Sequence, residues 1–255
     1  MYLNNYQHLK NKETYLLFFL FLFSFLIRIP VIFIFGDTRL DNEWGIIVNN
    51  LTVYGKFSLV NFGDFFVPSL FMPPLYAFYL YFFKIFHFND EIYIQVVLFS
   101  QIILSSFSVV IFYNINKLFF SNKICILGTL IFSLFPLHIY ACAQISSIIL
   151  QSFLMITFFY FFLKTIKKNN LYNICFLSLT SGLLILLRGE FIALFLLSIL
   201  YLALFIKINL KSILIIILLT FVVISPYLMR NIIVLDTITI TKSIGFNLWK
   251  GNNPQ

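Results

Sequence analysis

The run YLLFFLFLFSFLIRIPVIFIF, Tyr15–Phe35, decides the class of this protein, because about 20 consecutive apolar residues are enough to cross a bilayer. Lys10 and Lys12 precede the run, as positive residues precede the core of a signal peptide, but it ends without a small-residue cleavage site. We therefore predict a retained first membrane span. Arg28 and Pro30 lie in its last third, where the proline is expected to kink the helix.

The composition of the whole chain indicates the same class. Hydrophobic residues make up 61% of the 255 residues and charged residues only 10%, whereas soluble domains average about 25% charged residues. The 17 lysines and arginines are scattered singly between apolar runs, so the net charge of +8 indicates positive loops at a membrane face rather than nucleic-acid binding. Three cysteines lie inside apolar runs without CxxC spacing and are predicted to be small buried hydrophobic residues: Cys125, Cys142 and Cys175.

Further apolar runs follow the first, and the lysines between them predict the topology. The runs are Met72–Phe88, Ile92–Tyr113, Ile124–Tyr140, Ile145–Leu163, Leu171–Leu187, Phe191–Ile206 and Ser212–Met229. Positive residues favour the cytoplasmic side, so we place Lys207 and Lys211 there. The polar segments between the runs then alternate between the cytoplasmic and the outer side. This alternation is consistent with a cytoplasmic N-terminus only if Met72–Phe88 does not cross. Two prolines near the start of Met72–Phe88 agree with this, so we predict a juxtamembrane or re-entrant segment there.

The predicted fold is therefore an all-α, polytopic membrane helix bundle with about seven transmembrane spans. It forms a single module over residues 1–255. Residues 36–90 are expected to form a long first outer loop that carries juxtamembrane helices, and residues 230–255 an outer loop after the last span. All acidic residues except Glu13 then lie on the outer side.

The first outer loop contains the stretch LDNEWGIIVNNLTVYGKFS, Leu40–Ser58. From Glu43 to Tyr54 its apolar residues follow the i, i+3, i+4, i+7 spacing of an amphipathic helix, at Trp44, Ile47, Val48 and Leu51. We expect this helix to lie in the membrane interface with its apolar face towards the lipid. Gly55 is predicted to end the helix, as a glycine just past the last turn commonly does.

Two carboxylates stand at the start of this predicted helix. Asp41 is expected to cap the helix or to act as a general base, and the two roles are compatible. For Glu43 three roles stay open: a solvated surface charge, a metal ligand, or a second carboxylate of the site beside Asp41. Residues two apart on a helix do not face each other, so a glycosidase pair is not predicted. His87 and His138 stand alone, so a histidine-based metal site is not expected, whereas a divalent ion held by Asp41 and Glu43 stays open.

The order of motifs along nearly the whole chain resembles a known family. The first loop reads Asp41-Asn42-Glu43-Trp44, then Tyr54-Gly55-Lys56-Phe57-Ser58, then Pro73-Pro74-Leu75-Tyr76. Later come Leu187-Arg188-x-Glu190, Ser225-Pro226-Tyr227-x-x-Arg230-Asn231 and the closing GFNLWKGNNP, residues 245–254. In this order and spacing the motifs resemble the GT-C glycosyltransferases, specifically the branch of protein O-mannosyltransferases, aminoarabinose transferases and RgtA/B/C/D-like proteins.

The resemblance implies a membrane enzyme that transfers a sugar from a polyprenyl-phosphate carrier to a lipid-linked glycan, lipid A or a protein. The reaction would take place at the outer face of the inner cell membrane, by direct displacement with inversion. In the family an acidic residue of the first outer loop serves the acceptor as base or orienter, and Asp41 matches it best, with Glu43 and Asp37 as lesser candidates. No cofactor is implied with certainty beyond the divalent ion already left open.

The resemblance also implies binding residues for the donor. Arg188 and Arg230 match the basic residues that hold the lipid phosphate, and Lys84 is a further candidate. The expected substrate-binding residues are Trp44, Tyr76, Asn231, Trp249 and Asn252. Simpler structural roles stay open: Arg188 as a snorkelling residue paired with Glu190, Arg230 as a membrane-end anchor, and the aromatic residues as an interface belt.

Two features depart from the family pattern. Many relatives have an acidic residue in the outer turn near the middle of the module, where Ser147 stands here. Relatives usually continue past the position that corresponds to Gln255, so one expectation is a truncated module. A small transporter and a non-catalytic relative that binds polyprenyl-linked sugar remain alternatives. Charges at the ends of spans, rather than at mid-membrane, favour an interfacial enzyme over a transporter.

Overall fold

The computed structural model describes residues 2–62 and 65–253, with side-chain surroundings except at residues 2–11, 61–62, 65–66 and 243–247. This part of the chain is mostly helical, with one short two-stranded hairpin. In order, its elements are α1 Tyr2–Phe35, α2 Glu43–Tyr54, β1 Ser58–Phe62, β2 Phe65–Pro68, α3 Pro74–Lys84, α4 Asp90–Asn116, α5 Asn122–Ser133, α6 Pro136–Tyr140, a 3₁₀ turn Ala141–Ala143, α7 Ile148–Lys167, α8 Leu171–Leu187, α9 Phe191–Leu204, α10 Leu210–Leu235 and α11 Ser243–Asn252.

In the part of the chain that the structure describes, four helices are long and apolar enough to cross a membrane: Lys12–Phe35 within α1, and the whole of α4, α7 and α10. A fifth span results if α5 and the segment Pro136–Ala143, bent by 54° relative to each other, count as one. α8 and α9 are apolar but have only 17 and 14 residues, or about 26 and 21 Å against a hydrocarbon core of about 30 Å. In the described residues, length and composition thus give four or five spans, and the predicted seven are not confirmed.

Helix α3 is much shorter than a membrane span. Its 11 residues measure about 16 Å, roughly half the thickness of the hydrocarbon core. This length agrees with the prediction that Met72–Phe88 does not cross.

The run predicted as one helix over Ile124–Tyr140 is divided before Pro136. A proline disfavours the helical conformation of the residue that precedes it, and Phe135 is accordingly extended, with φ −64° and ψ 115°. A second boundary also differs from the sequence prediction. α10 continues to Leu235, so Arg230 and Asn231 lie in its last two turns rather than in an outer loop.

The chain divides into two compact units. The first unit comprises Met1–Thr38 and Ile94–Tyr160, and the second comprises Arg39–Tyr93 and Phe161–Gln255. In the first unit, α1, α4 and α5 pack around Leu20, Tyr113 and Cys125.

The cysteines follow their prediction only in part. Cys125 and Cys142 are buried in the first unit, as predicted. Cys175 was also predicted to be buried, and this prediction is wrong because the residue lies on the exposed face of α8.

In the second unit, α8 and α10 pack closely because a glycine lies where they meet. A Cβ added to Gly182 would lie 2.6 Å from Cβ of Val223, so only glycine fits there without a shift. The hydroxyl of Thr220 on α10 donates to the carbonyl of Ser178 on α8 over 3.3 Å. Small residues that let two backbones approach, with an interhelical hydrogen bond, are typical of helix packing in membranes.

Helix α2 has the predicted bounds, but the segment that follows it differs from the prediction. Gly55 follows it with φ 65° and ψ 22°, the left-handed conformation expected of a terminal glycine. The next residues form an antiparallel hairpin, β1–β2, that the sequence reading missed.

Candidate functional site

The start of α2 places both predicted catalytic carboxylates at the surface. The N-cap is Asn42, whose Oδ1 accepts from the backbone N–H groups of Trp44 (3.1 Å) and Gly45 (3.3 Å). The prediction that Asp41 caps the helix is therefore wrong, because the neighbouring amide takes that position. Asp41 and Glu43 are both exposed, and Glu43 lies in the first turn, where the helix dipole favours a negative charge.

The apolar face of α2 packs on protein rather than on lipid. Ile47 is fully buried together with Ala77 of α3 and with Phe57. The expectation that this face lies against the membrane interface is therefore wrong. Trp44 packs edge-on against Tyr76 at 5.1 Å between ring centroids, and Tyr76 is 0% exposed. The structure thus makes Tyr76 a support for Trp44 rather than a residue at the surface.

Arg230 of α10 closes the base of the hairpin. Its Nη2 donates to the carbonyl of Phe57 (3.1 Å) and its Nη1 to the carbonyl of Ser69 (3.4 Å), the residues that flank the two strands. The N–H of Ser69 also donates to the carbonyl of Phe57. The guanidinium lies 5.5 Å from the Phe57 ring and 5.8 Å from the Tyr227 ring. These contacts fix the position of the positive charge.

Asn231 positions Arg230 from inside the protein. It is 0% exposed. Its Oδ1 accepts from Nη1 of Arg230 over 2.8 Å, and its Nδ2 donates to the carbonyl of Thr239 over 2.7 Å. Both ends of the amide are therefore occupied by protein groups, and a direct contact of Asn231 with substrate stays a prediction.

Lys84 and Arg188, the other predicted phosphate ligands, each have an acidic partner. Nζ of Lys84 is 2.6 Å from Oδ1 of Asp90 and lies over the ring of Tyr93 at 4.7 Å. Nη1 of Arg188 is 3.3 Å from Oε1 of Glu190 in an exposed turn. A phosphate would have to compete with these carboxylates for either cation.

Helix α11 carries the last two predicted substrate residues. Trp249 is 62% exposed, and Nδ2 of Asn252 donates to the carbonyl of Leu248 over 2.8 Å. Their roles stay predictions. The side chains of the neighbouring motif residues 245–247, and residue 254, lie outside what the structure describes.

A cavity of about 720 Å³ lies in the second unit, bordered by the end of α2, the base of the hairpin, α3, α8 and α10. Its wall is mostly apolar. On α10 the lining residues repeat at helical spacing from Val223 to Val234, a length of about 16 Å. The charged residues among the described lining are Lys56 and Arg230, and both are positive.

Lys56 was missed as a site residue in the sequence. It belongs to the motif Tyr54-Gly55-Lys56-Phe57-Ser58, and a cation immediately after a helix-ending glycine was the available sign. It is exposed at the rim of the cavity.

Asp41 and Glu43 are not among the residues that border this cavity. Leu51, which does border it, follows Glu43 by eight residues of α2, or about 12 Å along the helix axis. The structure therefore brings together the two cations and an apolar wall, and leaves the carboxylates at the other end of α2.

Asp37, the lesser acidic candidate, has a structural partner in the first unit. Its Oδ2 accepts from the backbone N–H of Ile145 over 2.7 Å, and its own N–H donates to the carbonyl of Ala143. Gln144 of the same turn donates to the carbonyl of Phe35 over 3.0 Å. Asp37 thus fixes the turn that follows the 3₁₀ segment.

The carboxylates offer little support for a metal centre. The described residues contain no group of three or more histidine, cysteine, aspartate or glutamate side chains that could hold a metal ion. Binding of a divalent ion by Asp41 and Glu43 stays a prediction.

A buried polar cluster around Arg28 was also missed. Arg28 is 0% exposed, and it donates through Nε to Ser105 Oγ (2.8 Å) and through Nη1 to Ser24 Oγ (2.6 Å). Its Nη2 lies 3.3 Å from Nδ1 of His138. Because a guanidinium only donates, Nδ1 is the unprotonated nitrogen of a neutral ring, and Nε2–H is left for Ser152 Oγ at 3.2 Å.

No protein-family model matches this chain, and no curated protein is significantly similar to it.

Proposed function

We propose that this protein is a membrane glycosyltransferase, which moves a sugar from a polyprenyl-phosphate carrier to a glycan, lipid or protein acceptor. The observation that carries the proposal is the cavity of the second unit, with its apolar wall and its two cations, Lys56 and Arg230. Such a cavity suits a molecule with a long apolar part and an anionic head. A polyprenyl phosphate has both.

The charges around the cavity support an anionic head group. Arg230 has five N–H donors, of which three are given to Phe57, Ser69 and Asn231. Two N–H groups remain for a ligand, and arginine stays charged and grips phosphate oxygens in a defined direction. The cavity lining in the described residues holds no carboxylate that would repel a phosphate or compete with it.

In the proposed reaction an acceptor hydroxyl or amine attacks the anomeric carbon while the bond to the phosphate oxygen breaks. Asp41 takes the acceptor's proton, with Glu43 as a second candidate. A general base must lie within roughly 3 Å of the acceptor atom, and the carboxylates lie at the opposite end of α2 from the cavity. This step therefore requires the start of α2 to move towards the bound head group. We place this reaction at the outer face of the inner cell membrane.

The test is sugar transfer by purified protein in lipid nanodiscs supplied with polyprenyl-phosphate sugars and candidate acceptors. We expect Asp41→Asn to lower turnover by about 100-fold or more, in the range that general-base catalysis contributes. Arg230→Ala is expected to lower it comparably. Arg39→Ala, which removes an exposed arginine beside the same loop, is the matched control and should retain activity.

Two results would contradict the proposal. Absence of transfer by the wild-type protein, with binding of polyprenyl-linked sugar retained, would favour a non-catalytic protein that binds such a lipid. Unchanged transfer in Asp41→Asn would remove Asp41 as the base. Absence of turnover with every donor, together with solute flux in liposomes that does not depend on sugar lipids, would favour a transporter.

A further inference from the structure

Lys56 is the second cation of the cavity, and the structure holds its backbone firmly. Its N–H donates to the carbonyl of Asn50 over 3.2 Å, directly after the left-handed Gly55. Asn50 is 1% exposed, and its Nδ2 donates to the carbonyl of Ser58 over 2.9 Å. The backbone of Lys56 is thus hydrogen-bonded to α2, and Asn50 joins α2 to the first residue of the hairpin. Its ammonium group has no partner among the described residues.

The two cations differ in how they are held. Arg230 is half-buried and fixed by its three hydrogen bonds, so its charge is in place before any ligand binds. Lys56 is exposed, and its long side chain carries a compact charge that can move towards a ligand. One cation is therefore preorganised, and the other is adjustable.

The proposed reaction changes the charge of the head group. A sugar joined to a lipid phosphate is a phosphodiester with one negative charge. When the bond between the anomeric carbon and the phosphate oxygen breaks, the electron pair stays on that oxygen. The acceptor's lone pair forms the new bond to the anomeric carbon, and its proton passes to the base. The departing monoester carries a charge of about −1.5 to −2 at neutral pH.

We propose that Lys56 binds the charge that appears on the phosphate during transfer, while Arg230 holds the charge already present. This inference rests on the proposed function. A cation that strengthens its interaction as charge develops stabilises the transition state more than the bound substrate, and so raises the rate of transfer. Lys56 is then a catalytic residue that touches the leaving group, and the same cavity binds a phosphate monoester more tightly than a diester.

The test compares three ligands that share one apolar chain: farnesyl phosphate, its methyl ester farnesyl methyl phosphate, and farnesol. Binding is measured at pH 8, where the monoester carries two charges and the diester one. We expect wild-type protein to bind the monoester about tenfold more tightly than the diester, since a charge-assisted hydrogen bond contributes about 1.5 kcal/mol or more. Farnesol should bind most weakly.

Lys56→Gln should lose about tenfold in affinity for the monoester and less than about twofold for the diester. Lys56→Arg, which keeps the charge, should restore most of the preference. The matched control is Lys211→Gln, which removes an exposed lysine at the opposite end of α10, about 28 Å along the helix from Arg230. It should leave both affinities unchanged.

Several outcomes would overturn the proposal. Equal losses for monoester and diester in Lys56→Gln would make Lys56 a general anion-binding residue, and no loss for either would remove it from the site. If the wild-type protein binds farnesol and farnesyl phosphate with equal affinity, or binds none of the three ligands, the cations do not recognise a phosphate. The binding assay is independent of turnover. A wild-type preference for the monoester without sugar transfer would therefore contradict the proposed transferase and leave the role of Lys56 in binding intact.

Discussion

At the scale of single residues, Arg28 is a fully buried positive charge. A buried charge destabilises a fold unless it is paired or fully hydrogen-bonded, and no carboxylate contacts Arg28 among the described residues. Its partners are neutral: the hydroxyls of Ser24 and Ser105, the backbone carbonyl of Ser24 and the ring of His138. Because His138 belongs to α6, this cluster ties α1 to the short helix after the Pro136 break.

We expect Arg28→Ala to lower the free energy of unfolding by about 2–4 kcal/mol. The substitution leaves a cavity and removes donors from Ser105 and His138. The measurement is thermal or denaturant unfolding in detergent micelles. Arg39→Ala, at an exposed position, should change stability by no more than about 0.5 kcal/mol. Equal effects of the two substitutions would show that the Arg28 cluster is not structural.

At the scale of elements, the hairpin β1–β2 depends on a residue far away in sequence. Arg230 bridges the carbonyls of Phe57 and Ser69 with two nitrogens of one planar group. Lysine keeps the charge, but its compact ammonium group lacks the planar fork of donors and cannot reproduce this geometry. The hairpin is therefore expected to open more often when the guanidinium is lost.

We expect Arg230→Lys to raise the rate of amide hydrogen exchange over residues 57–69 about tenfold, which corresponds to a loss of about 1.4 kcal/mol in the local opening free energy. Hydrogen exchange followed by mass spectrometry measures it. The matched control is Arg188→Lys, since Arg188 pairs with exposed Glu190 and does not contact the hairpin among the described residues. Unchanged exchange over the hairpin would show that Arg230 does not hold its base.

The comparison of α2 with the hairpin shows what the sequence could predict. The bounds of α2 were predictable because its apolar spacing and its ending at Gly55 are local. The cap was placed one residue too early because Asp41 and Asn42 are both good capping residues. The hairpin was missed although Gly63-Asp64, a pair typical of two-residue hairpin turns, stands between two apolar runs. Its contact with Arg230, about 170 residues later in the chain, is not local and could not be predicted. Lys56 was missed because only the folded cavity brings it together with Arg230.

The contact of α8 with α10 gives a second prediction at this scale. We expect Gly182→Ala to destabilise the protein by about 1–3 kcal/mol, because the added methyl group would overlap Val223. The second substitution Val223→Ala should recover part of the loss. Gly128→Ala on α5 is the control, as its nearest neighbour would be an ordinary contact at 3.7 Å. Similar melting temperatures for the two single variants would contradict the close approach.

At the scale of the whole molecule, the number of membrane crossings depends on α8 and α9. Both are apolar, but they have only 17 and 14 residues, whereas a typical span has about 20. They either cross as a pair or enter and leave on one side as a pair. Both arrangements leave the two ends of α10 on the same sides, so the lysines at its start do not distinguish them. The turn between α8 and α9 does.

We expect α8 and α9 to cross, because the segment before α8 carries Lys164, Lys167 and Lys168, whereas the turn between α8 and α9 carries a single basic residue, Arg188. The positive-inside rule places the more basic of the two segments on the cytoplasmic side. The test introduces Lys168→Cys or Glu190→Cys, both at exposed positions, into a chain without its three cysteines. A membrane-impermeant thiol reagent added to intact cells should modify the position-190 cysteine and spare the position-168 cysteine until the membrane is permeabilised. Modification of both from the outside would make α8 and α9 a re-entrant pair, and the total would then fall from seven crossings to five.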